Sequence, residues 1–544
     1  MLPRIHLPPK PAALVVLAAL FLVPGLAGHD LWKSQDAITL GVVHAMAVGH
    51  DLVVPHIAGR VWLYDQPLYH WLALAFGVLL AWAFDFHSAA RLASGALVGA
   101  AFWLIYVAGR EWSAEEQRRI TSSAALLTLL GCLGLLVHAH EATPELASLA
   151  ALCGALAALP YSIEKPKLAG LAFGAALGLA FLSATWIAPL ALALAVVAAH
   201  FACPEWRMRR STPFLLAALG AAIVVGASWP LALAARSGEV FTQWRTLMVL
   251  REGTAGGNLR HFVSNASWFA WPAWPLALWG AWSLRRRWRE ARLFVPAFTV
   301  ALMSVLYVVW GSAEDDQLIP FLAPLALLAA HGMYTLRRGA FAALDWFGVL
   351  TFAVFAGFVW IGYIAMLTGV PGPISRNFAR MAPGFIMHLQ PFALVFALAL
   401  AAAWLYVVFY TSFSPMRSVA RWASGVVLLW GTFAMLWMPW VDYQKSYRAV
   451  AFELKRKLPA GTKCVAERGV GVSQAAALDY RAGIRARPFD PSNPAACPVV
   501  LVQGSPAHEV DAPGALAGRR WVKIADVGRP GDRSERYRLY RLER

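Results

Sequence analysis

The stretch LLAALGAAIVVGASWPLALAA (215–235) runs without a single charged residue. A bilayer's hydrocarbon core is about 30 Å thick and a helix rises about 1.5 Å per residue, so this stretch spans it. A similar run, PAALVVLAALFLVPGLAG, occupies 11–28, and others recur to about residue 441. The chain is 59% hydrophobic and only 14% charged, whereas a soluble domain carries about a quarter charged residues. It is therefore expected to cross a membrane many times.

The run at 11–28 follows Arg4 and Lys10 as a signal peptide would. It lacks a small-x-small cleavage site ahead of a polar mature domain, so it reads as a retained first helix. The remaining spans are placed at about 89–109, 120–138, 144–160, 168–183, 184–201, 213–235, 264–284, 293–311, 318–335, 341–367, 389–411 and 421–441. The apolar stretch 70–86 is assigned to the interface. The basic loops at 110–119, 161–167, 204–210, 285–290, 337–338 and 415–421 then fall on one side with the N-terminus. Positive loops stay in the cytoplasm, which gives about 13 spans with the C-terminus outside. The net charge of +17 is accounted for by these loops and the tail, and gives no sign of nucleic acid.

Beyond residue 442 the composition changes. YQKSYRAVAFELKRKL reads as an amphipathic helix, and CVAE, PVVLVQ, RWVKIADV and RYRLYRL as short strands between turns. The expected architecture is an all-α polytopic bundle (1–442) with juxtamembrane helices, followed by a soluble α/β domain (443–544) on the outer side. Cys132, Cys153 and Cys203 fall in or beside apolar runs. Cys464 and Cys497 lie in the tail and either pair in an oxidising compartment such as a bacterial periplasm or stay free.

The first outer loop, about 29–88, is chemically unlike the rest. It holds Asp30, Asp36, Asp51, Asp65 and Asp85, and histidines 29, 44, 50, 56, 70 and 87. Within it SQDAITLGVVHAMAVG reads as a helix lying on the membrane surface. Charges this near lipid mark either a wet interface or a functional cavity. The first reading suffices for Asp51 and Asp85.

The segments Gln35-Asp36-Ala37, Gly49-His50-Asp51 through Pro55, and Tyr64-Asp65-Gln66-Pro67-Leu68 together resemble the first periplasmic loop of GT-C class membrane glycosyltransferases. The likeness is to aminoarabinose (lipid A) transferases and protein O-mannosyltransferase-like relatives. That resemblance implies 13 spans, an outer α/β domain, and sugar transfer from a polyprenyl-phosphate donor to a lipid or glycan acceptor at the bacterial inner membrane. It implies Asp36 as the candidate base. Asp65 stands in for a family Glu that would bind a divalent metal ion or orient the acceptor, and His261 is the second candidate metal ligand.

Three departures from the family pattern each remove positive charge. Gln66 replaces a lysine, Ala184-Thr185-Trp186 replaces a Thr-Lys-Gly-Pro step, and Glu314, Asp315 and Asp316 stand where a lysine usually precedes a Leu-Pro motif. Phosphate contacts are then expected from Lys33, Arg60, Arg245, Arg251 or Arg260, with Tyr64, Gln66 and Glu141 as further substrate contacts. Arg251 and Arg260 flank a Gly-rich EGTAGGNLR, which reads as a flexible lid or as an exposed basic loop near anionic headgroups. Glu141 and Glu145 sit on an outer turn where the family carries an Asp, with helix capping as the competing account. No Walker or dinucleotide motif is present. The rival to an enzyme is a non-catalytic lipid-binding or flippase-like protein on the same scaffold, motivated by the lost lysines.

Overall fold

The computed structural model describes residues 8–206, 211–250, 253–414, 416–490, 492–493, 496–505, 521–532 and 534–543. Lipid offers the backbone no hydrogen-bond partners, so spanning segments must satisfy themselves as helices. Eight described helices are long and apolar enough to cross a membrane, among them Phe86–Glu111, Ala291–Trp310 and Arg338–Thr368. Shorter apolar helices include Pro11–Leu22, Pro166–Phe181 and Ile187–Ala202. Each expected span carries helix, and the chain is a multi-pass membrane protein.

Some spans differ from expectation. The one at 264–284 is split into Ala255–Phe269 and Ala273–Ser283, because Pro272 between them cannot donate to a continuing helix. The one at 120–138 ends at Leu130 and resumes only as the turn Leu135–His138. The outer stretch 236–263, read from sequence as a lid or an exposed basic loop, carries regular structure. It is built from two helices, Gly238–Val249 and Ala255–Phe269, and the second is N-capped by Thr254, whose hydroxyl accepts the Gly257 amide at 3.1 Å.

The spans divide into centre and rim. In the segment Asp316–Thr335 most residues of the apolar stretch are buried within the protein, whereas in Thr212–Arg236 most are exposed at the surface of the bundle. The rim is attached by small residues. Gly170, Gly174 and Gly178 repeat every fourth position and let the helix Pro166–Phe181 touch the backbone of Ser211–Gly226. A methyl at Gly174 would sit 2.0 Å from the Ala218 carbonyl oxygen. Without a hydrophobic drive between helices in lipid, such close approach supplies the packing.

The tail folds into a five-stranded sheet in the order Ala486–Pro488, Val465–Arg468, Val499–Gly504, Arg536–Leu542, Trp521–Val527. The first three strands are parallel and the last two antiparallel to their neighbours. Helices Arg448–Lys457 and Val472–Ala482 flank it, and Cys464 and Cys497 are disulfide-bonded. The first outer loop lies between this domain and the bundle. Its helix Gln35–Gly49 packs against Val472–Ala482 so closely that a methyl at Gly41 would lie 2.7 Å from the Ala476 side chain. A hairpin follows, His56–Ile57 against Arg60–Val61. Its two-residue turn, Ala58-Gly59, has φ of 48° and 82°, the positive-φ pair that a tight hairpin requires. The helix Leu68–Leu79 follows, a 12-residue helix that ends before the span Phe86–Glu111.

Candidate active site

The first-loop helix begins with two polar residues that turn in opposite directions. Asp36 points inward and is 1% exposed. Arg91, itself fully buried, grips both its oxygens, Nε to Oδ1 at 3.0 Å and Nη2 to Oδ2 at 2.9 Å. The amides of Ala142 and Trp32 complete the shell at 2.8 and 3.2 Å. Burial alone would raise this carboxyl, but the Arg91 guanidinium outweighs it and holds the pKa below the ordinary value. Gln35, one residue earlier, faces a cavity.

That cavity has a volume of about 370 Å³. One wall is the loop Trp62–Gln66, a second is Ala184–Ile187, and a third is Ser312–Gln317. Leu247, Met248 and Leu250, at the end of the helix Gly238–Val249, close it from outside, with Trp310 beside them. Four carboxylates line it: Asp65, Glu145, Glu314 and Asp316. Asp65 accepts the Trp62 indole N–H at 3.0 Å. Burial raises its pKa, and hydrogen bonds from Trp62 and Gln35 only partly offset this. Burial and the nearby Asp65 charge raise Glu314 likewise.

Donors and acceptors are unequally used here. Trp186 Nε1 donates to the Met248 carbonyl at 3.1 Å, Gln66 Nε2 to the Met248 sulfur at 3.0 Å, and Gln317 Nε2 to Ser312 Oγ at 2.6 Å. Two acceptors, Gln66 Oε1 and Glu145 Oε2, are buried without a partner. No lysine or arginine lines the cavity among the described residues.

Comparison with known proteins gives the setting. No family model matches the chain. Two relatives, both named undecaprenyl phosphate-alpha-4-amino-4-deoxy-L-arabinose arabinosyl transferase, come from Pseudomonas aeruginosa (strain UCBPP-PA14) and Pseudomonas paraeruginosa. Each is 25% identical over 443 residues, 78% of this chain and 74% of the relative. The structure superposes on that of ArnT from Cupriavidus metallidurans bound to undecaprenyl phosphate with a TM-score of 0.68. The match covers 97% of this chain and 96% of that one, at 17% identity. The fold is that of a GT-C membrane glycosyltransferase.

The resemblance read from the first-loop motifs therefore holds for the scaffold, while the assignment of roles changes. Asp65, Tyr64 and Gln66 do line one cavity. Asp36 does not, and both its oxygens are paired with Arg91. Glu141 is likewise absent from the lining. It faces Asp36, Lys445 and Arg91, and burial with the Asp36 charge pushes its pKa up to about 7. Glu145, four residues on, takes the cavity position instead.

The expected phosphate ligands are also elsewhere. Lys33 pairs with Glu535 at 2.5 Å and Arg60 with Glu467, so both tie the loop to the C-terminal domain. Arg245 and Arg260 are exposed on the two outer helices, and Arg251 lies outside the described residues. His261 is not brought to Asp65. Its Nδ1 meets the Tyr307 hydroxyl at 2.8 Å and its Nε2 lies 3.1 Å from Asp315. Among the described residues no three His, Cys, Asp or Glu side chains are grouped to hold a metal ion, so an Asp65–His261 metal site does not fit this geometry. All three positions where lysines are missing, Gln66, Ala184–Trp186 and Glu314–Asp316, contribute to this one cavity. Sequence recognised them singly, but had no means of placing them around a common space.

Proposed function

We propose that this chain transfers a sugar from a polyprenyl-phosphate carrier to a lipid or glycan acceptor, with Asp65 as the carboxylate that takes the acceptor's proton. The observation that carries the reading is the carboxylate-lined cavity set in a GT-C scaffold beside the first-loop helix. The relatives are named for an undecaprenyl-phosphate-linked sugar, and ArnT was solved with undecaprenyl phosphate bound.

In such a transfer the sugar carbon becomes cation-like as its phosphate departs, and the incoming hydroxyl must shed a proton. Asp65 suits this role because burial raises its pKa, making it a stronger base than an exposed carboxylate. Trp62 and Gln35 hold its orientation. The departing phosphate needs positive charge, and Arg245 is exposed on the helix whose end, Leu247 and Met248, lines the cavity. The basic loops between spans, the relatives and the Cys464–Cys497 disulfide support placement in a bacterial inner membrane with the C-terminal domain in the periplasm.

The test is turnover of radiolabelled polyprenyl-phosphate sugars by the purified full-length protein. Asp65→Asn is expected to lower the rate about 100-fold or more, the usual yield of a positioned base, with the melting temperature nearly unchanged. Full turnover in Asp65→Asn would overturn the assignment. Donor binding without turnover in the unmodified protein would favour the non-catalytic reading.

A further inference from the structure

The end of the bundle away from the carboxylate cavity carries more positive charge than its carboxylates match. Trp310 lines that cavity, and the helix it ends, Ala291–Trp310, begins about 30 Å away. Around that start lie Arg285, Arg286, Arg287, Arg289 and Arg292. Arg337 and Arg338 join them, because Thr335 donates to the Ser283 hydroxyl at 2.7 Å and so brings both segments to one rim. Glu290 is taken by Arg287 and Arg292, the latter at 2.7 Å, and Glu205 lies where it senses Arg292. Arg285 and Arg289 sit over the rings of Trp282 and Trp288, 4.5 and 5.3 Å from their centroids. Arg286, Arg337 and Arg338 are exposed and meet no carboxylate among the described residues.

Two apolar grooves run from this rim, one on either side of the helix Ala273–Ser283. The first, about 390 Å³, lies against Arg338–Thr368, with Leu276, Trp279, Ala340, Ala343 and Phe347 in its walls. The second, about 360 Å³, lies against Ala291–Trp310, with Ala281, Trp288, Leu293, Ala297 and Ala301 in its walls. Phe347 is nine residues past Arg338 and Ala301 ten past Ala291, so each groove ends about 14–15 Å from the rim. That is the hydrocarbon depth of one leaflet, half of about 30 Å. Loops that only set topology need charge but no such grooves. The outer wall of each groove is a helix that begins at the rim, where its first amides favour a phosphate.

We propose that these grooves and the arginines between them hold one anionic lipid with two phosphates and four acyl chains, the chemistry of cardiolipin. Each phosphatidyl half lays its chains in one groove and sets its phosphate at the start of that groove's outer helix. The bridge between the halves crosses the turn Arg285–Arg287, where the helix Ala273–Ser283 has ended. A lipid with one phosphate fills one groove and leaves the arginines of the other unmatched. Basic pockets between spanning helices on the cytoplasmic face recognise such headgroups, and the basic loops assign this rim to that face.

The test uses the full-length protein in phosphatidylcholine nanodiscs doped with cardiolipin, phosphatidylglycerol or phosphatidylethanolamine of matched chains. Lipid retained after detergent extraction is counted by native mass spectrometry. Cardiolipin is expected to be held at least tenfold more tightly than phosphatidylglycerol, and Arg337→Gln/Arg338→Gln should weaken it severalfold. Ala343→Trp and Ala301→Trp, each at an exposed position and each filling a different groove, should singly reduce cardiolipin to the level of phosphatidylglycerol. Their melting temperatures in pure phosphatidylcholine should stay unchanged. Two phosphatidylglycerols held as tightly as one cardiolipin would overturn the inference, as would retention unmoved by the arginine pair. Retention unmoved by either tryptophan would show adsorption to the rim alone and overturn it equally.

Discussion

Asp36 and Asp65 lie in the same outer loop, and sequence pairs them as the two acids of one motif. Their surroundings are opposite. Around Asp36 every polar group is matched: two contacts from Arg91, two from backbone amides. Asp65 is half-buried, keeps only the Trp62 indole and Gln35 as side-chain partners, and lines a cavity with three further carboxylates. A buried charge fully paired within the protein fixes a fold, whereas one that faces a cavity is available to a ligand.

The sharpest way to break that comparison is to neutralise the saturated acid. Asp36→Asn leaves Arg91 charged at 0% exposure, and stranding one member of a buried pair costs about 3–5 kcal/mol. The expected result is a large loss of thermal stability or of folded yield. A stable Asp36→Asn protein that has lost only turnover would reverse the roles assigned here. The pH dependence has a definite sign. Because the folded pKa of Asp36 is depressed, its contribution is present above the unfolded value of about 3.9 and is lost as pH falls through the folded value.

Asp65 shifts the other way, so its signature is in activity. A base must be ionised, and a raised pKa moves the acid limb of the rate profile above the value of about 3.9 for an ordinary Asp. A profile flat to pH 4 would show that no raised carboxylate takes part. A smaller effect is expected from Gln66→Lys, which places a cation beside Asp65. It should lower the pH of that limb, because a nearby cation favours the ionised carboxylate. An unchanged limb would mean that residue 66 does not sense the Asp65 charge.

Much of the architecture was legible in advance, for physical reasons that differ by region. Lipid forces long apolar runs into helices, so the spans and the short apolar helix Leu68–Leu79 followed from hydropathy. Four tail strands followed from alternating β-branched and aromatic residues. The strand Ala486–Pro488 and the helix Val472–Ala482 did not, since the first is three residues long and the second is mostly small residues with a weak apolar stripe. The site was legible only as isolated residues. Arg91 stands 55 positions from Asp36, and Glu314 and Asp316 reach Asp65 only through the packing of the bundle.

The smallest expected effect concerns Lys33. Sequence assigns it to a donor phosphate, while the structure pairs it with Glu535 across the domain junction, with its side chain 48% exposed. An ion pair that open to solvent contributes about 0.2–1 kcal/mol, less at high salt. Lys33→Ala should therefore lower the melting temperature slightly, in a salt-dependent way, and leave KM for the donor unchanged. The neighbouring pair Arg60–Glu467 gives the control, since Arg60 has a second, weaker contact to the Ala486 carbonyl at 3.5 Å. If both residues serve only to hold the C-terminal domain on the loop, the two substitutions should act alike on stability. A rise in donor KM in Lys33→Ala alone would return that residue to the phosphate, and would place the donor's charged end under the C-terminal domain instead of at Arg245.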